Sequence, residues 1–124
     1  MGLVVVLDDE LDACRLVQRI ISGMGHEVHA FTDHKEALKW IRGHKPDLAL
    51  IDTKLHGACG VNVLRSILQM RLSTKVIMIT GYPSEETVEE AMKIGVEDYL
   101  AKPLEIADLE ERVNRALIKQ SLEG

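Results

Sequence analysis

The sequence is poor in the residues that mark several classes of protein. Its 124 residues include 2 cysteines, 3 prolines and only 3% aromatic residues. Cys14 and Cys59 form no paired motif, which is typical of a reducing compartment and argues against a disulfide-rich secreted scaffold. No apolar run approaches the roughly 20 residues of a membrane span, and the N-terminus lacks a basic region followed by an apolar stretch. We therefore expect a cytoplasmic protein without a membrane segment.

Positive charge is also in short supply. There are 15 lysines and arginines against 20 aspartates and glutamates, for a net charge of -5. This balance argues against nucleic-acid binding by the domain alone. The charged fraction of 28% and the hydrophobic fraction of 46% argue against disorder. We expect one domain over residues 1–124, with a core of about 3–120 that needs no disulfide or structural metal.

Short apolar runs recur along the chain and indicate strands. Unbroken runs rich in β-branched residues predict strands buried on both faces, as in a parallel sheet, at 3–7, 48–51 and 76–79. Residues 27–31 alternate polar with apolar side chains, which predicts a strand nearer the sheet edge. A short fifth strand fits residues 98–100.

Five stretches with a period near 3.6 residues follow these strands and predict helices. Thr32 or Asp33 can cap the second helix, which we expect to end at Gly43 ahead of a proline. Ser84 can cap the fourth helix, and Gly95 lies just beyond its end. The alternation predicts an α/β fold: a doubly wound, five-stranded parallel sheet of order 2-1-3-4-5 in a flavodoxin-like (βα)5 three-layer sandwich.

Polar side chains follow the predicted strands where each strand ends. Asp8 and Asp9 follow the first strand, Asp52 follows the third, Thr80 ends the fourth, and Lys102 follows the fifth. Because sites in open α/β sheets form outside the carboxyl ends of the strands, we expect these side chains to share one rim.

The chemistry of this set points to phosphoryl transfer. Its carboxylates outnumber its one ammonium group, and oxygen donors without thiolates suit Mg²⁺. Thr80 can donate a hydrogen bond to a phosphoryl oxygen, and Lys102 can offset the charge of the transferring group. Asp52, on the middle strand of the rim, is the natural nucleophile for an acyl phosphate. These residues predict a Mg²⁺-assisted phosphoryl acceptor.

Several fragments match one family pattern in order and spacing. The pair Asp8-Asp9 follows the first strand, and the segment Asp52–Gly60 is similar to D-x-x-[M/L]-P-x-x-x-G. Thr80-Gly81 is similar to [T/S]-[A/G], and Gly95–Pro103 is similar to G-A-x-D-Y-[I/L]-x-K-P. From the first strand to the last helix, the chain resembles the receiver domain of two-component response regulators.

The resemblance implies a phosphorylation-dependent switch in a histidine-to-aspartate phosphorelay. Asp52 would take a phosphoryl group from a phosphohistidine on a histidine kinase or phosphotransfer protein. Asp9, Asp52 and the backbone carbonyl of Lys54 would ligate Mg²⁺ directly, and Asp8 would act through water. The chain would catalyse only its own phosphorylation and dephosphorylation.

The resemblance also implies how the switch works. Thr80 and Lys102 would bind the phosphoryl oxygens, and Tyr99 would rotate inward as Thr80 moves. This would reshape the face made by helix 4, strand 5 and helix 5, where a downstream effector domain or protein would dock. The resemblance also implies a cis peptide bond between Lys102 and Pro103, and it allows a homodimer.

The sequence departs from the family pattern near the acceptor. His56 replaces the usual proline, so the turn after Asp52 loses a fixed φ angle and gains a titratable ring. Lys54 and Tyr82 stand two residues beyond Asp52 and Thr80. We hypothesise that Lys54 and Tyr82 hinder an attacking water.

Other interpretations of these residues stay open. Asp9 alone suits the N-cap of the first helix, and Tyr99 alone suits a plain core aromatic. A phosphatase or phosphotransferase for a small substrate is a rival class, although Lys54 stands where its second carboxylate would be expected. A third is a pseudo-receiver that only binds partners. The chain is either a stand-alone protein or part of a longer transcription regulator or hybrid kinase.

Overall fold

Strands and helices alternate along the chain, whose computed structural model describes residues 2–55, 57–81 and 84–123. The strands are β1 (Leu3–Leu7), β2 (Glu27–Phe31), β3 (Leu48–Asp52), β4 (Lys54–Leu55), β5 (Ala58–Cys59), β6 (Lys75–Thr80) and β7 (Asp98–Ala101). The helices are α1 (Leu11–Gly23), α2 (His34–His44), α3 (Gly60–Gln69), α4 (Glu85–Ile94) and α5 (Ile106–Glu123). Within the described ranges, no helix has the length and apolarity that crossing a membrane requires.

The main sheet has five parallel strands in the order β2-β1-β3-β6-β7. The predicted fold and strand order are confirmed, with β6 and β7 as the fourth and fifth strands of the prediction. The numbering differs because β4 and β5, which the sequence analysis did not predict, form a separate antiparallel pair. The alternating strand β2 lies at an edge, as its pattern predicted.

Two hydrophobic clusters cover the two faces of the sheet. Val4 and Val6 pack with residues of α1 and α5 on one face. Val5 and Leu7 pack with residues of α2, α3 and α4 on the other face. Because successive strand side chains point to opposite faces and both faces are covered, β1 needs an unbroken apolar sequence.

The end of α2 corrects one prediction. Gly43 does not end the helix, which continues to His44, and Lys45 follows in the left-handed region with φ 49° and ψ 63°. The residue before a proline disfavours the right-handed helical region, so Pro46 prevents α2 from continuing through Lys45.

Other helix ends match the sequence. Asp33, rather than Thr32, caps α2 by accepting a hydrogen bond from the backbone N–H of Lys35 at 3.2 Å. Ser84 caps α4, and Gly95 follows the last turn of α4 with φ 120°. These contacts satisfy backbone groups that a helix end leaves without intrahelical partners.

The two last helices are attached to the sheet to different extents. The guanidinium of Arg112 in α5 donates to Asp98 of β7 at 2.6 Å, and Lys75 forms an ion pair with Glu123 in the last turn. Helix α5 also buries three apolar side chains. In α4, Ala91 is the one buried residue among those whose burial the structure describes.

Candidate functional site

The carboxyl ends of the strands bring the predicted polar side chains to one rim. Asp8 and Asp9 lie directly after β1, Asp52 is the last residue of β3, and Lys102 lies directly after β7. Carboxylate oxygens of Asp8, Asp9 and Asp52 lie within 4.8 Å of one another. Residues separated by up to 94 positions thus meet at this rim.

Lys102 joins the two buried carboxylates. Its Nζ lies 2.6 Å from Oδ2 of Asp52 and 3.2 Å from Oδ2 of Asp8. Burial by itself lowers the pKa of this ammonium, but the hydrogen bond to Asp52 and the nearby negative charges outweigh it. The pKa of Lys102 is therefore raised, and the group carries a positive charge at neutral pH.

Asp8 is held in a costly ionised state. It is 6% exposed, and its Oδ1 accepts a hydrogen bond from the backbone N–H of Glu10 at 3.0 Å. Burial, reinforced by the charge of Asp52, raises the pKa of Asp8 from 3.8 to about 6 despite the N–H of Glu10 and the charge of Lys102. A nearby cation stabilises the ionised form of such a buried carboxylate and lowers its pKa.

The backbone around Asp52 fixes the position of its side chain. The backbone N–H of Lys54 donates to Oδ1 of Asp52 at 2.9 Å. Lys54 then pairs with Cys59 in the short β4–β5 ladder, which turns the chain back toward the sheet. Gly60 follows this turn. The position needs a residue without a side chain, because a Cβ there would lie 2.4 Å from the carbonyl oxygen of Asp52 and 2.6 Å from Cα of Thr53.

A cleft of about 430 Å³ opens over these groups. It is lined by Asp9, Glu10, Asp52, Lys54, Leu55, Gly81 and Lys102. Its donors are carboxylate oxygens, and no imidazole or thiolate from the described part of the chain lines it. This donor set fits a hard divalent cation such as Mg²⁺, which prefers oxygen ligands and shares them with phosphates.

Glu10 is a lining residue that the sequence analysis did not select. It also occupies the N-cap position of α1, without a side-chain capping hydrogen bond. Asp9 does not occupy that position, so the interpretation of Asp9 as the cap of the first helix is wrong. The signal for Glu10 was its place directly after the acidic pair.

Thr80 and Tyr99 lie beside the cleft rather than in its lining. Thr80 is 2% exposed at the end of β6, and Gly81 lines the cleft instead. The hydroxyl of Tyr99 is buried and has no partner at hydrogen-bond geometry among the described residues. Burial raises the pKa of Tyr99, and the nearby Thr80 hydroxyl offsets part of that rise. The peptide bond between Lys102 and Pro103 is cis.

The departures from the family pattern are only partly visible. Lys54 is exposed and is one of the residues that line the cleft. His56 and Tyr82 lie outside the described residues. Lys54 thus lies at the cleft, and the hypothesis that Lys54 and Tyr82 hinder an attacking water stays a prediction for both residues.

Comparisons with known proteins agree on one family. The family model of the response regulator receiver domain matches residues 4–114. A crystal structure of a CheY-like response regulator receiver domain protein from Methanospirillum hungatei has a TM-score of 0.94 and 30% identity, covering 100% of this chain and 99% of that one. The structure of NtrX from Brucella abortus has a TM-score of 0.91 and 32% identity, covering 98% of this chain and 28% of that one.

The chain is also similar to curated regulatory proteins. The transcriptional regulatory protein ZraR of Escherichia coli is 32% identical over 114 residues, covering 92% of this chain and 26% of ZraR. The two-component response regulator PhoP of Pseudomonas aeruginosa is 33% identical over 121 residues, covering 98% of this chain and 53% of PhoP. The chain therefore spans about a quarter to a half of the length of these relatives.

Proposed function

The chain belongs to the response regulator receiver domain family, and on that premise we propose that it is a phosphoryl-accepting switch with Asp52 as the acceptor. The donor is a phosphohistidine of a histidine kinase or phosphotransfer protein. The observation that carries the proposal is the position of Lys102, whose ammonium contacts both Asp52 and Asp8 at an open cleft. A phosphoryl group that enters this cleft meets a nucleophile and a cation together.

Asp52 suits the role of nucleophile. Its carboxylate is 6% exposed, and the backbone N–H of Lys54 and the ammonium of Lys102 orient it. In the transfer, an Asp52 oxygen forms a bond to phosphorus while the bond from phosphorus to the donor imidazole nitrogen breaks. The electron pair of the broken bond stays on that nitrogen. The product is an acyl phosphate on Asp52.

Mg²⁺ is the cation that this donor set fits. Asp9, Asp52 and the Lys54 carbonyl would hold it, and Asp8 would act through water. When bound, Mg²⁺ neutralises charge on the phosphoryl oxygens. The raised pKa of Asp8 supports this assignment. Burial and the charge of Asp52 disfavour the ionised form of Asp8, and a bound cation would stabilise it.

Lys102 is placed to follow the phosphoryl group. Its Nζ lies 2.6 Å from the oxygen of Asp52, so a short movement takes it to a phosphoryl oxygen. Lys102 then offsets the negative charge that the acyl phosphate adds to the cleft.

Thr80 and Tyr99 would carry the signal away from the cleft. Thr80 must turn from its buried position to donate to a phosphoryl oxygen, because Gly81 lines the cleft in the present state. The Tyr99 hydroxyl is buried, and Thr80 lies close enough to affect its pKa, so Tyr99 would respond to a movement of Thr80. The face formed by α4, β7 and α5 changes as a result and docks a downstream effector domain or protein.

The chemistry that the chain performs is then limited to its own acyl phosphate. It catalyses formation and hydrolysis of the phosphorylated Asp52 and acts on no separate substrate. In the relatives that are transcription regulators, a receiver of this kind is one part of a longer protein. We propose residues 1–124 as the receiver domain of such a signalling protein.

Intact-mass measurement after incubation with Mg²⁺ and acetyl phosphate tests the proposal. Wild-type protein should gain one phosphoryl group only when Mg²⁺ is present, and Asp52→Asn should gain none. Asp12→Asn, an exposed aspartate on α1, is the matched control and should behave as the wild type.

The proposal fails if the wild type gains no phosphoryl group and also does not bind beryllofluoride. Phosphorylation of Asp52→Asn to the wild-type level would place the acceptor elsewhere. Phosphorylation without Mg²⁺ would remove the metal from the proposal.

A further inference from the structure

Helices α1 and α3 end with the same hydrogen-bond pattern but different residues. In α1 the N–H of Met24 donates to Ile21 and the N–H of Gly25 donates to Ser22, and Gly25 has φ 95°. In α3 the N–H of Met70 donates to the carbonyl of Ile67 and the N–H of Arg71 donates to the carbonyl of Leu68. Arg71 has φ 55°. Glycine takes the left-handed position in one helix and arginine takes it in the other.

The ends of helices α2 and α4 share a hydrogen-bond pattern, although their backbone angles differ. The N–H of Gly95 donates to the carbonyl of Ala91 in α4, and the N–H of Lys45 donates to the carbonyl of Ile41 in α2. Gly95 has φ 120° and Lys45 has φ 49°. Lys45 and Arg71 are the only residues other than glycine with a positive φ in the described ranges. Glycine is the residue that this conformation favours, so lysine and arginine occupy these ends at a cost in stability.

Both cationic helix ends line the same groove. Lys45, Arg71 and Arg42 surround a groove of about 650 Å³ whose remaining described lining is uncharged and includes Met70 and Leu72. The three cationic residues are exposed, and none has an ion pair with an acidic side chain of the described residues. The groove lies near the amino ends of β3 and β6. Asp52 lies at the opposite, carboxyl end of β3.

Compensation of the helix dipole does not account for this arrangement. A cation in the last turn interacts favourably with the carbonyl end of a helix, and Arg42 already lies in the last turn of α2. That interaction needs no left-handed backbone. A left-handed residue is a common way for a helix to end, and Pro46 also disfavours the helical region at Lys45, so these angles explain where the cations lie and do not themselves indicate a partner.

We propose that this groove, formed by Arg42, Lys45, Met70, Arg71 and Leu72, docks an acidic segment of a partner protein. Two guanidinium groups can bind carboxylates in a bidentate manner, and Lys45 adds a third positive charge. The local excess of positive charge in the groove contrasts with the net charge of -5 of the whole chain, so the groove favours acidic partners.

The apolar part of the lining favours a protein segment over a small anion. Met70 and Leu72 are partly buried residues that line the groove together with the cationic residues. An acidic peptide with apolar side chains contacts both kinds of surface, whereas a phosphate ion uses only the charges. The groove is independent of the cleft at Asp52, so this proposal does not depend on phosphorylation.

Nuclear magnetic resonance titration of ¹⁵N-labelled protein tests the proposal. The probe is a glutamate-rich peptide that carries leucines, and inorganic tripolyphosphate is the comparison ligand. We expect saturable shifts of the amide signals of Arg42, Lys45, Arg71 and Leu72. The double variant Lys45→Gly/Arg71→Gly should bind the peptide about five- to tenfold more weakly, as expected for two exposed ion pairs. Its melting temperature should stay the same or rise, because glycine relieves the left-handed strain.

The control variant Lys35→Gln/Lys93→Gln removes the same charge from exposed residues outside the groove and should bind as the wild type. Arg42→Gln, whose backbone is helical, should weaken binding without a change in backbone conformation. Equal binding by the wild type and the Lys45→Gly/Arg71→Gly variant overturns the proposal, as does tighter binding of tripolyphosphate than of the peptide. Self-association of the wild type that this variant abolishes would identify a second copy as the occupant and would also overturn it.

Discussion

The ammonium of Lys102 lies 2.6 Å from the carboxylate of Asp52, a residue 50 positions away in the chain. Asp52 ends β3 and Lys102 directly follows β7, and the parallel sheet brings the two carboxyl ends to the same rim. The same ammonium reaches Asp8 at 3.2 Å. One cation therefore compensates two buried carboxylates in this state.

Replacement of Lys102 with methionine should raise the pKa of Asp8 above its value of about 6. Lys102 lowers the pKa of Asp8, and its loss leaves the charge of Asp52 uncompensated. The carboxyl carbon signal of Asp8 in a nuclear magnetic resonance titration measures this change. Lys119→Met removes an ammonium that pairs with Glu97 and should leave the Asp8 titration unchanged. A lower pKa in Lys102→Met would contradict the electrostatic account.

Asp8→Asn should stabilise the protein at neutral pH in the absence of divalent cations. The pKa of Asp8 is 3.8 when unfolded and about 6 when folded, so the folded state binds its proton more tightly. The wild type therefore gains stability as the pH falls through 6 toward 4, and the destabilisation is complete above pH 6. We expect Asp8→Asn to gain about 1–3 kcal/mol at pH 7.5 and progressively less below pH 6. Urea unfolding at several pH values measures this, and added Mg²⁺ should reverse the gain.

Gly60→Ala should lower the free energy of unfolding by about 1–3 kcal/mol. The new Cβ would meet backbone atoms of Asp52 and Thr53, which cannot move independently of β3. Chemical denaturation measures the loss. Gly43→Ala in α2 is the matched control, because its Cβ would meet no atom within 4 Å apart from the nearby backbone of its own helix. This substitution should raise the free energy of unfolding by about 0.5 kcal/mol. Equal effects of the two substitutions would contradict the close approach at Gly60.

Tyr99→Phe separates the two interpretations of this tyrosine. The hydroxyl is buried and has no partner at hydrogen-bond geometry in the described part of the chain, so its removal should leave the free energy of unfolding unchanged or raise it by up to about 1 kcal/mol. If Tyr99 responds to Thr80, the variant should also show smaller amide shifts on α4 and β7 after beryllofluoride binding. Amide shifts equal to those of the wild type would make Tyr99 a plain core aromatic.

Much of the architecture was predictable because each β1 residue from Val4 to Leu7 is buried on one face or the other. This requirement leaves an unbroken apolar run in the sequence, and covered parallel strands show it clearly. The meeting of Asp8, Asp52 and Lys102 was predictable for a related reason, since the carboxyl ends of parallel strands share one rim. Their functional roles stay predictions.

The features that the sequence analysis missed depend on local backbone geometry. The β4–β5 ladder has two residues in each strand, too few to show any periodicity. The left-handed backbone of Lys45 and Arg71 has no sequence signal, because glycine or asparagine is the residue expected there. Pro46 was the one available indication that α2 could not include Lys45.

The unequal attachment of α4 and α5 has a consequence for local opening of the fold. Arg112 and Lys75 tie α5 to the rest of the protein near its middle and at its last turn, whereas α4 buries Ala91 alone among the residues whose burial is described. Elements with few buried contacts open at low free energy. Amide hydrogens of α4 should therefore exchange with solvent at least tenfold faster than those of α5 around Val113, as mass spectrometry after deuterium labelling would show. Equal protection of the two helices would mean that the groups outside Ala91 hold α4 as firmly as the ion pairs hold α5.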